Sequence, residues 1–440
     1  MRSFMSGSKA RLGLKMIVFM LLLAVMVQGL NFLVFPRNSW SRSMMNEFYE
    51  HKDLDVIFLG TSSTYRSNVP LLIDEEANVR SYNLATPAQS FMASYYLLKE
   101  AVKYNNVDLV VLHVNISRFQ TNMINHSYQH QAFENLDWSF DKLEFLIRGF
   151  TVSHYPDALF KCFRARENMR PAAIKRNLTY KKVIDPADYP EEVFPYLGKG
   201  YSFNGGMQTP GELIVGIYSV YNPNKFRPEN VEYFNRIVAL CKEKKIDLIL
   251  MPRPRLAANI LAGNNYGEFH EHMQRLADEN GISLWDLTYL RPEVLKIEDT
   301  MFSDGYHANY TLSLPLSRLI GKMIKEHKAG TLDIGEYLFD TYEQYLETNH
   351  RIAGIYTSKL SSEKVIKAYA AAGKDIEPEF RFLLSTSEQG EYTQIRDWNV
   401  DDKVDLSEEK KGKYWLMIEA RQVGSDGEVE QRIRTQVDLR

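Results

Sequence analysis

An uncharged apolar run near the N-terminus constrains this chain more than any other feature. Residues 16–35 read MIVFMLLLAVMVQGLNFLVF, and Gln28 and Asn31 are their strongly polar members. A helix of about 20 residues at ~1.5 Å each matches the ~30 Å hydrocarbon layer of a bilayer. A cleaved signal peptide is the alternative, but its apolar stretch is normally shorter and ends in small residues. Because this run ends in Phe-Leu-Val-Phe-Pro-Arg, the sequence favours an uncleaved transmembrane anchor.

The charges that flank this run predict its orientation. Four basic residues precede it within residues 1–15, whereas Arg37 and Arg42 are the basic residues of the near flank that follows. Basic residues accumulate on the cytoplasmic side of a membrane. We therefore expect residues 1–15 to be a cytoplasmic basic tail, and the rest of the chain to lie outside the cell as a single-pass membrane protein.

The rest of the chain has the composition of a globular protein with more than one domain. Of its 440 residues, 45% are hydrophobic and 25% are charged, which excludes a mostly disordered chain. The net charge of −3 argues against a nucleic-acid partner, since such proteins usually carry a basic excess. Two cysteines are too few for a disulfide framework. The helical apolar pattern around Cys241 predicts a buried free thiol there.

Between residues 51 and 330, short apolar strands alternate with amphipathic helices. This rhythm is typical of a buried parallel sheet with helices on both faces, and it predicts a three-layer α/β/α domain. Residues 116–226 interrupt it, and an insertion of this length is often a lid or a substrate-binding surface; a segment without a role is the alternative. The predicted strands are 55–60, 81–85, 108–114, 246–252 and 282–287.

The pattern changes after residue 330. Residues 331–349 are predicted to form a helical linker. From residue 350 to 440, short alternating strands recur about every ten residues, which predicts a small β-sandwich. The segments 380–382 and 414–419, together with Tyr392, resemble the triple-tyrosine immunoglobulin-like modules of bacterial surface proteins. That resemblance implies a binding or spacer module without chemistry of its own.

Two short motifs contain the residue types needed for nucleophilic catalysis. The strand at 55–60 runs into Gly-Thr-Ser-Ser-Thr at 60–64, and parallel sheets bind ligands at the carboxyl ends of their strands. In the segment 302–308, Asp304 precedes His307 by three residues, so that the carboxylate can orient the imidazole. Taken alone, the first motif also fits a helix N-cap, and the second fits a capping Asp beside a surface His.

Together the two motifs resemble the SGNH/GDSL hydrolase superfamily. In that superfamily the nucleophile follows the first strand, and an Asp-x-x-His motif precedes the last helix. The resemblance implies a flavodoxin-like parallel sheet with Ser62 as nucleophile, His307 as base and Asp304 as the group that orients it. Ser63 is the nearest rival nucleophile, but the family's spacing favours Ser62. The 116–226 insertion accounts for the long separation of the two motifs.

The same resemblance implies an oxyanion hole. Its donors would be the backbone N–H of Ser62, the N–H of Ala85, where the family usually has glycine, and the side-chain amide of Asn115. The family's third block normally reads Gly-x-Asn-Asp, and here only Asn115 matches. An Asn that merely forms a turn is equally natural at that position.

A membrane anchor followed by an outward-facing domain of this kind is similar to one subgroup of the superfamily. Its members modify cell-envelope polymers, as in the DltD family of teichoic-acid D-alanylation and the alginate O-acetylation proteins. The resemblance implies transfer of a small acyl group such as acetyl onto an envelope polysaccharide through a Ser62 acyl-enzyme, with a membrane-bound O-acyltransferase partner. A carbohydrate esterase with the same triad and a non-catalytic envelope-binding scaffold are the alternatives.

Other polar residues receive weaker assignments. Arg253 and Arg255 follow a core strand and are predicted to contact an anionic polymer, with a salt-bridged loop as the alternative. His270 and His272 lie two positions apart and are predicted to be solvated. His126 and His130 could share one helix face, but no third metal ligand is evident. We therefore expect neither a metal nor another cofactor.

Overall fold

The computed structural model describes residues 2–35, 40–166, 169–179, 197–207, 220–263, 265–357, 364–425 and 429–439. Parts of the predicted insertion, and short pieces of the predicted C-terminal sandwich, lie outside these described residues. Helix α1 spans Arg2–Val34. Its segment Arg11–Val34 has 24 residues, a mean hydropathy of 2.5 and little contact with the rest of the chain. Its length and composition suit a membrane span, although an N-terminal signal sequence meets the same criteria.

Five parallel strands form the central sheet, in the order β2-β1-β3-β4-β5. This 2-1-3-4-5 order is that of flavodoxin-like folds and confirms the predicted α/β class. The strands are short, and those in the middle of the sheet are completely buried, which explains their continuous apolar sequences. They comprise β1 (Val56–Gly60), β2 (Ser81–Ala85), β3 (Leu109–Leu112), β4 (Asp247–Leu250) and β5 (Ser283–Leu284).

Helices cover both faces of this sheet. The helices that follow α1 are α2 (Trp40–Phe48), α3 (Ser62–Ser67), α4 (Pro70–Ala77), α5 (Phe91–Tyr104), α6 (Ile116–Gln120), α7 (Gln129–Phe133), α8 (Phe140–Gly149), α9 (Tyr155–Leu159), α10 (Lys161–Arg164), α11 (Pro171–Thr179), α12 (Pro228–Lys244), α13 (Ala257–Leu261), α14 (Tyr266–Asn280), α15 (Tyr310–Ala329) and α16 (Tyr342–Glu347). Helices α5 and α12 pack together, and so do α4 and α15. The order of elements puts these pairs on opposite faces of the sheet.

Helix α15 begins directly after the second predicted motif, and its ends show why. The Asn309 side chain accepts a hydrogen bond from the Thr311 N–H at the N-terminus, which satisfies one of the unpaired donors of the first turn. Gly330 ends the helix with a φ of 69°, a conformation that glycine adopts without steric cost. The 302–308 segment is thereby held at the amino end of the last helix.

The C-terminal strands form two antiparallel sheets, in the orders β10-β7-β6 and β12-β11-β8-β9. Apolar side chains from both sheets share one core, which agrees with the predicted sandwich. Strand β10 is only three residues long, and Val404 is its one buried residue. The strands are β6 (Ile352–Thr357), β7 (Val365–Ala372), β8 (Pro378–Ser385), β9 (Thr393–Asn399), β10 (Lys403–Asp405), β11 (Gly412–Gln422) and β12 (Gln431–Leu439).

The sandwich packs directly against the α/β region. Helix α13, which follows β4, contacts β6 and β7, and Ala353 and Ala371 of these strands belong to the core of the α/β region. In the predicted linker, α16 contributes Tyr345 to the same core. Apolar burial therefore holds the two regions together at this junction.

Candidate active site

Ser62 lies at the junction between the central strand and a short helix. Strand β1 ends at Gly60, and α3 begins at Ser62. A Cβ added at Gly60 would lie 2.0 Å from Thr64 Oγ1 and 2.7 Å from His113 Cβ. Only glycine allows this close approach of the turn to its neighbours. The strand-to-helix turn therefore presents Ser62, half-buried, at the carboxyl edge of the sheet.

A chain of hydrogen bonds joins Ser62, His307 and Asp304. Ser62 Oγ lies 2.7 Å from His307 Nε2, and His307 Nδ1 lies 2.6 Å from Asp304 Oδ2. With the Nδ1 proton assigned toward the carboxylate, Nε2 is the acceptor for the Ser62 hydroxyl. The structure thus brings together three residues that were singled out from motifs 245 positions apart.

The 302–308 segment is a closed hairpin that fixes Asp304. The other carboxylate oxygen of Asp304 accepts the N–H groups of Tyr306 at 3.0 Å and His307 at 2.8 Å. A β-bridge between Phe302 and Ala308 closes the hairpin. Because backbone N–H groups hold one oxygen of the carboxylate, the other stays directed at His307 Nδ1 and limits rotation of the imidazole.

A segment of the long insertion fastens this hairpin to the rest of the domain. Asn204 Nδ2 donates to Ser303 Oγ at 2.6 Å and to the Ala308 carbonyl at 3.0 Å. The Asn204 carbonyl accepts the Tyr310 N–H at 2.9 Å. Sequence reasoning missed Asn204, since nothing in its neighbourhood links it to a hairpin about a hundred residues away. These contacts make Asn204 a positioning residue for the hairpin.

The electrostatic environment suits a base and its orienting carboxylate. Burial lowers the pKa of His307 below its usual value, and the nearby Arg66 charge adds to this effect while Asp304 opposes it. Burial alone would raise the pKa of Asp304, but the hydrogen bond to His307, the His307 charge and the N–H groups of Tyr306 and His307 together outweigh it, and the pKa is lowered. At neutral pH the imidazole is therefore neutral and the carboxylate ionised, which are the resting forms required for proton abstraction from a hydroxyl.

Two of the predicted oxyanion donors are available. Ser62 opens α3, and among the described residues its N–H has no hydrogen-bond partner, as is normal in a first helical turn. Asn115 Oδ1 accepts the Arg118 N–H at 2.9 Å and the Ser117 hydroxyl at 2.8 Å. This N-cap uses the oxygen of the amide, and no described residue accepts a hydrogen bond from its NH₂ group. The capping and donating roles of Asn115 are therefore compatible.

The third predicted donor, Ala85, is wrongly placed. Thr86 N–H donates to the Gly60 carbonyl, whereas Asn83 N–H donates to Lys199 on the outer edge of β2. Because N–H groups alternate sides along a strand, the Ala85 N–H also faces that outer edge, away from Ser62. The turn begins only after Ala85. Within it, Ala88 has a φ of 44°, a backbone conformation typical of glycine.

The two predicted polymer-binding arginines differ in environment. Arg253 is 4% exposed, and its Nη1 donates to Asn68 Oδ1 at 2.5 Å. Asn68 ends α3, so Arg253 braces the helix of Ser62 from inside. The predicted contact of Arg253 with a polymer is therefore wrong. Arg255 is half-buried and lies 5.7 Å from the centre of the Tyr266 ring. Neither arginine is in an ion pair with a carboxylate of the described residues, so the salt-bridged alternative is not observed.

The environment of His270 also differs from the prediction. His270, predicted to be solvated, lies 2.8 Å from Asp286 Oδ2, and the Tyr266 hydroxyl donates to the same carboxylate. The reason is that this face of α14 packs toward the end of β5.

Cys162 and Cys241 are buried free thiols. Within the described ranges, no group of three His, Cys, Asp or Glu side chains is placed to hold a metal ion.

A groove of about 550 Å³ lies beside the catalytic hairpin. Its lining includes Phe302 of the hairpin and Arg255, together with Tyr345, Asn349 and Arg351. Its volume is within the range of sites for small ligands or one or two sugar units. The groove therefore connects the neighbourhood of the triad to the linker before the sandwich.

Comparison with known proteins gives only distant structural likeness. No family model and no curated protein matches the chain. Among solved structures, a protein described as a G-D-S-L family lipolytic protein, from Desulfitobacterium hafniense, is 11% identical with a TM-score of 0.28, over 64% of this chain and 100% of that one. A GDSL-like lipase from Bacteroides thetaiotaomicron is 11% identical with a TM-score of 0.30, over 66% and 100%. A protein described as an acylhydrolase, from Bacteroides fragilis, is 12% identical with a TM-score of 0.31, over 66% and 99%. Likeness at this level does not identify a reaction, and the chemistry has to be argued from the site itself.

Proposed function

We propose that the chain is a serine-dependent acyl-transfer enzyme of the SGNH type, with Ser62 as nucleophile. The observation that supports this most is the continuous hydrogen-bond chain from Ser62 through His307 to Asp304. The flavodoxin-like strand order and the position of Ser62 after the first strand add to it. A non-catalytic scaffold has no need for a buried imidazole held between a hydroxyl and a carboxylate.

In the first half-reaction, Ser62 Oγ attacks the carbonyl carbon of an acyl ester while its proton passes to His307 Nε2. Asp304 stabilises the imidazolium. The oxyanion is held by the Ser62 N–H and the Asn115 amide. When the intermediate collapses, the bond to the leaving alkoxide breaks, and His307 returns the proton to it. The acyl group remains on Ser62.

In the second half-reaction, an acceptor hydroxyl gives its proton to His307 Nε2 and attacks the acyl group on Ser62. Ser62 regains a proton as the new ester leaves. We propose that the acceptor is a sugar hydroxyl of a cell-envelope polymer and that the group is a small acyl such as acetyl. The apolar helix α1 supports a location at the membrane, and the groove beside the hairpin offers space for sugar units. A membrane-bound O-acyltransferase would supply the acyl group.

The fate of the acyl group, which passes either to a sugar hydroxyl or to water, distinguishes this proposal from an esterase with the same triad. The full chain in detergent is incubated with an activated acetyl ester, with and without acetyl-free oligosaccharides of envelope type. A transferase yields acetylated oligosaccharide at the expense of free acetate. Release of acetate alone, at a rate unaffected by every oligosaccharide, would favour the esterase.

The dependence of acylation on pH tests the assigned base. His307 must be neutral to accept a proton, so we expect the rate to fall as the pH drops through the His307 pKa, which lies below its usual value. Because the positive charge of Arg66 lowers that pKa, Arg66→Met should raise it and move the acid limb to higher pH. Arg318→Met, which removes an exposed arginine paired with Glu75 on the protein surface, is the control. An acid limb that stays in place in Arg66→Met contradicts the assignment.

The Asn115 amide is testable without loss of its capping role. Asn115→Ser keeps an oxygen for the Arg118 N–H but removes the NH₂ donor, and we expect the rate of acylation to fall about 10²-fold. Since serine is a good N-cap, the free energy of unfolding should change by less than about 1 kcal/mol. Rates are measured by release of the leaving group. A rate within a factor of two of the unmodified enzyme would remove Asn115 from the oxyanion hole.

A further inference from the structure

Helix α8 has two apolar faces, of which one is exposed. Phe145 and Leu146 pack into the core, as expected for a helix on a protein surface. On the outer side, Phe140, Leu143 and Ile147 are 92%, 45% and 58% exposed. Their spacing of three and four residues puts them on one side of the helix. Together with the preceding Trp138, which is 66% exposed, they form an apolar stripe, here called the α8 stripe.

The end of the apolar helix α1 lies next to this stripe. A cavity of about 590 Å³ is lined by Gln28, Asn31 and Phe32 of α1 and by Trp138 and Lys142 at the start of α8. Trp138, the first residue of the α8 stripe, therefore lies at the surface from which α1 departs.

The direction of α1 is fixed by contacts in its last turns. Asn31 Oδ1 accepts the Cys162 N–H at 2.8 Å, and Asn177 Nδ2 donates to the Leu33 carbonyl at 3.0 Å. Val34 is buried against Cys162. Direct contacts therefore hold the globular part against the end of α1.

These contacts also set the height of the membrane. Counted from Arg11, a helix reaches ~30 Å at about Asn31, at ~1.5 Å per residue. The edge of the hydrocarbon layer then falls near Asn31, at the level of the cavity. Trp138 lines the cavity, so this end of the α8 stripe lies at the level where interfacial aromatic residues are normally found.

Three basic residues (Arg42, Lys142 and Lys161) and two acidic ones (Glu134 and Asp137) line the cavity, and Glu134 is in an ion pair with Arg164. Lys142 is buried, donates to the Leu136 carbonyl at 2.5 Å and lies 4.7 Å from the Trp138 ring. Lys161 lies 4.9 Å from the Phe35 ring. Within the described part of the chain, neither lysine is in an ion pair with a carboxylate. Cationic groups at this level attract the phosphates of anionic lipids.

We propose that the α8 stripe lies in the interface of the same bilayer that α1 crosses, with the half-buried Lys161 facing phospholipid phosphates. The proposal rests on retention of α1 as an anchor and is independent of the catalytic proposal. A second contact of this kind fixes the tilt of the globular part, so that the Ser62 edge of the sheet keeps a constant height above the membrane.

The test uses the full chain in vesicles of phosphatidylcholine and phosphatidylglycerol. Single cysteines are introduced as Phe140→Cys and Ile147→Cys and labelled with a bimane fluorophore, since the two native cysteines are buried. Leu71→Cys and Val400→Cys are matched controls, because these apolar residues are 59% and 56% exposed but lie on other elements. We expect lipid-attached nitroxides to quench the labels at 140 and 147 several-fold more than those at 71 and 400, and aqueous iodide to show the reverse order.

Equal access of iodide to all four labels would overturn the proposal. If the labels at 140 and 147 then became protected only when native membranes were added, the stripe would be assigned to a protein partner instead.

A second variant avoids dependence on one label. Phe140→Asp with Ile147→Asp changes only exposed side chains and should release a label at Leu143→Cys from the lipid, while α1 keeps the protein in the vesicle. None of these readouts involves catalysis, so they remain interpretable if the proposed reaction is wrong.

Discussion

We expect Ser62→Ala to eliminate the covalent acyl adduct and to lower the turnover of an activated ester at least about 10³-fold. The reason is that the nucleophile of a triad cannot be replaced by its neighbours. The Ser62 hydroxyl bonds to His307 and is half-buried, so its loss should leave the unfolding temperature nearly unchanged. The adduct is measured by the intact mass of the protein after brief exposure to the ester.

Ser63→Ala is the matched control for this experiment. Ser63 is the next residue of α3 and is half-buried to a similar degree, and its carbonyl accepts the Ser67 hydroxyl at 2.5 Å. That bond involves the backbone and survives the substitution. We expect Ser63→Ala to form the adduct at the normal rate. An adduct that persists in Ser62→Ala and disappears in Ser63→Ala would reverse the assignment of the nucleophile.

Gly60→Ala is expected to destabilise the α/β region by about 3 kcal/mol, the upper part of the range for overpacking of a core. The added methyl would lie 2.0 Å from Thr64 Oγ1 and 2.7 Å from His113 Cβ, and both neighbours are buried. Either the strand or α3 must shift, and Ser62 lies between them. The free energy of unfolding is measured with denaturant, together with the rate of acylation.

Thr64→Ala in the background of Gly60→Ala separates steric overlap from other causes. It removes the nearer contact and should recover part of the lost stability, but not all, since the His113 Cβ remains. Gly29→Ala, where an added Cβ meets nothing within 4 Å, should leave the unfolding of the α/β region unchanged. If Gly60→Ala were as stable as the unmodified chain, the close approach at this turn would not be a constraint.

Local features of the sequence predicted the parallel sheet, and they also singled out three residues that the structure brings into one hydrogen-bond chain. Each of the central strands is buried and is therefore a continuous apolar run, and Asp304 and His307 lie within one short hairpin whose spacing is visible in the sequence. Ser62 was found because it follows the first such strand. In each case the determining pattern spans fewer than about ten residues.

The features that were missed or misassigned depend on contacts between distant segments. The direction of the Ala85 N–H follows from the register of β2 against β1, which the sequence of β2 alone does not specify. Arg253 turns inward because Asn68, 185 residues away, offers an acceptor. His270 is buried because Asp286 lies at the end of the neighbouring strand. Asn204 gives no local sign that it fastens the catalytic hairpin.

The order in which the chain is synthesised has a consequence for when this site exists. Ser62 and His307 are 245 residues apart, and Asn204, which secures the hairpin, lies between them. At ~5–20 residues per second, Ser62 is made roughly 10–50 s before His307. Early in that interval β3 lacks its later neighbour β4, and throughout it the serine lacks its proposed base. A nascent chain therefore cannot carry out the proposed acyl transfer until the last helix of the α/β region has emerged. Chains truncated before Asp304 never acquire this activity, however well their first strands fold.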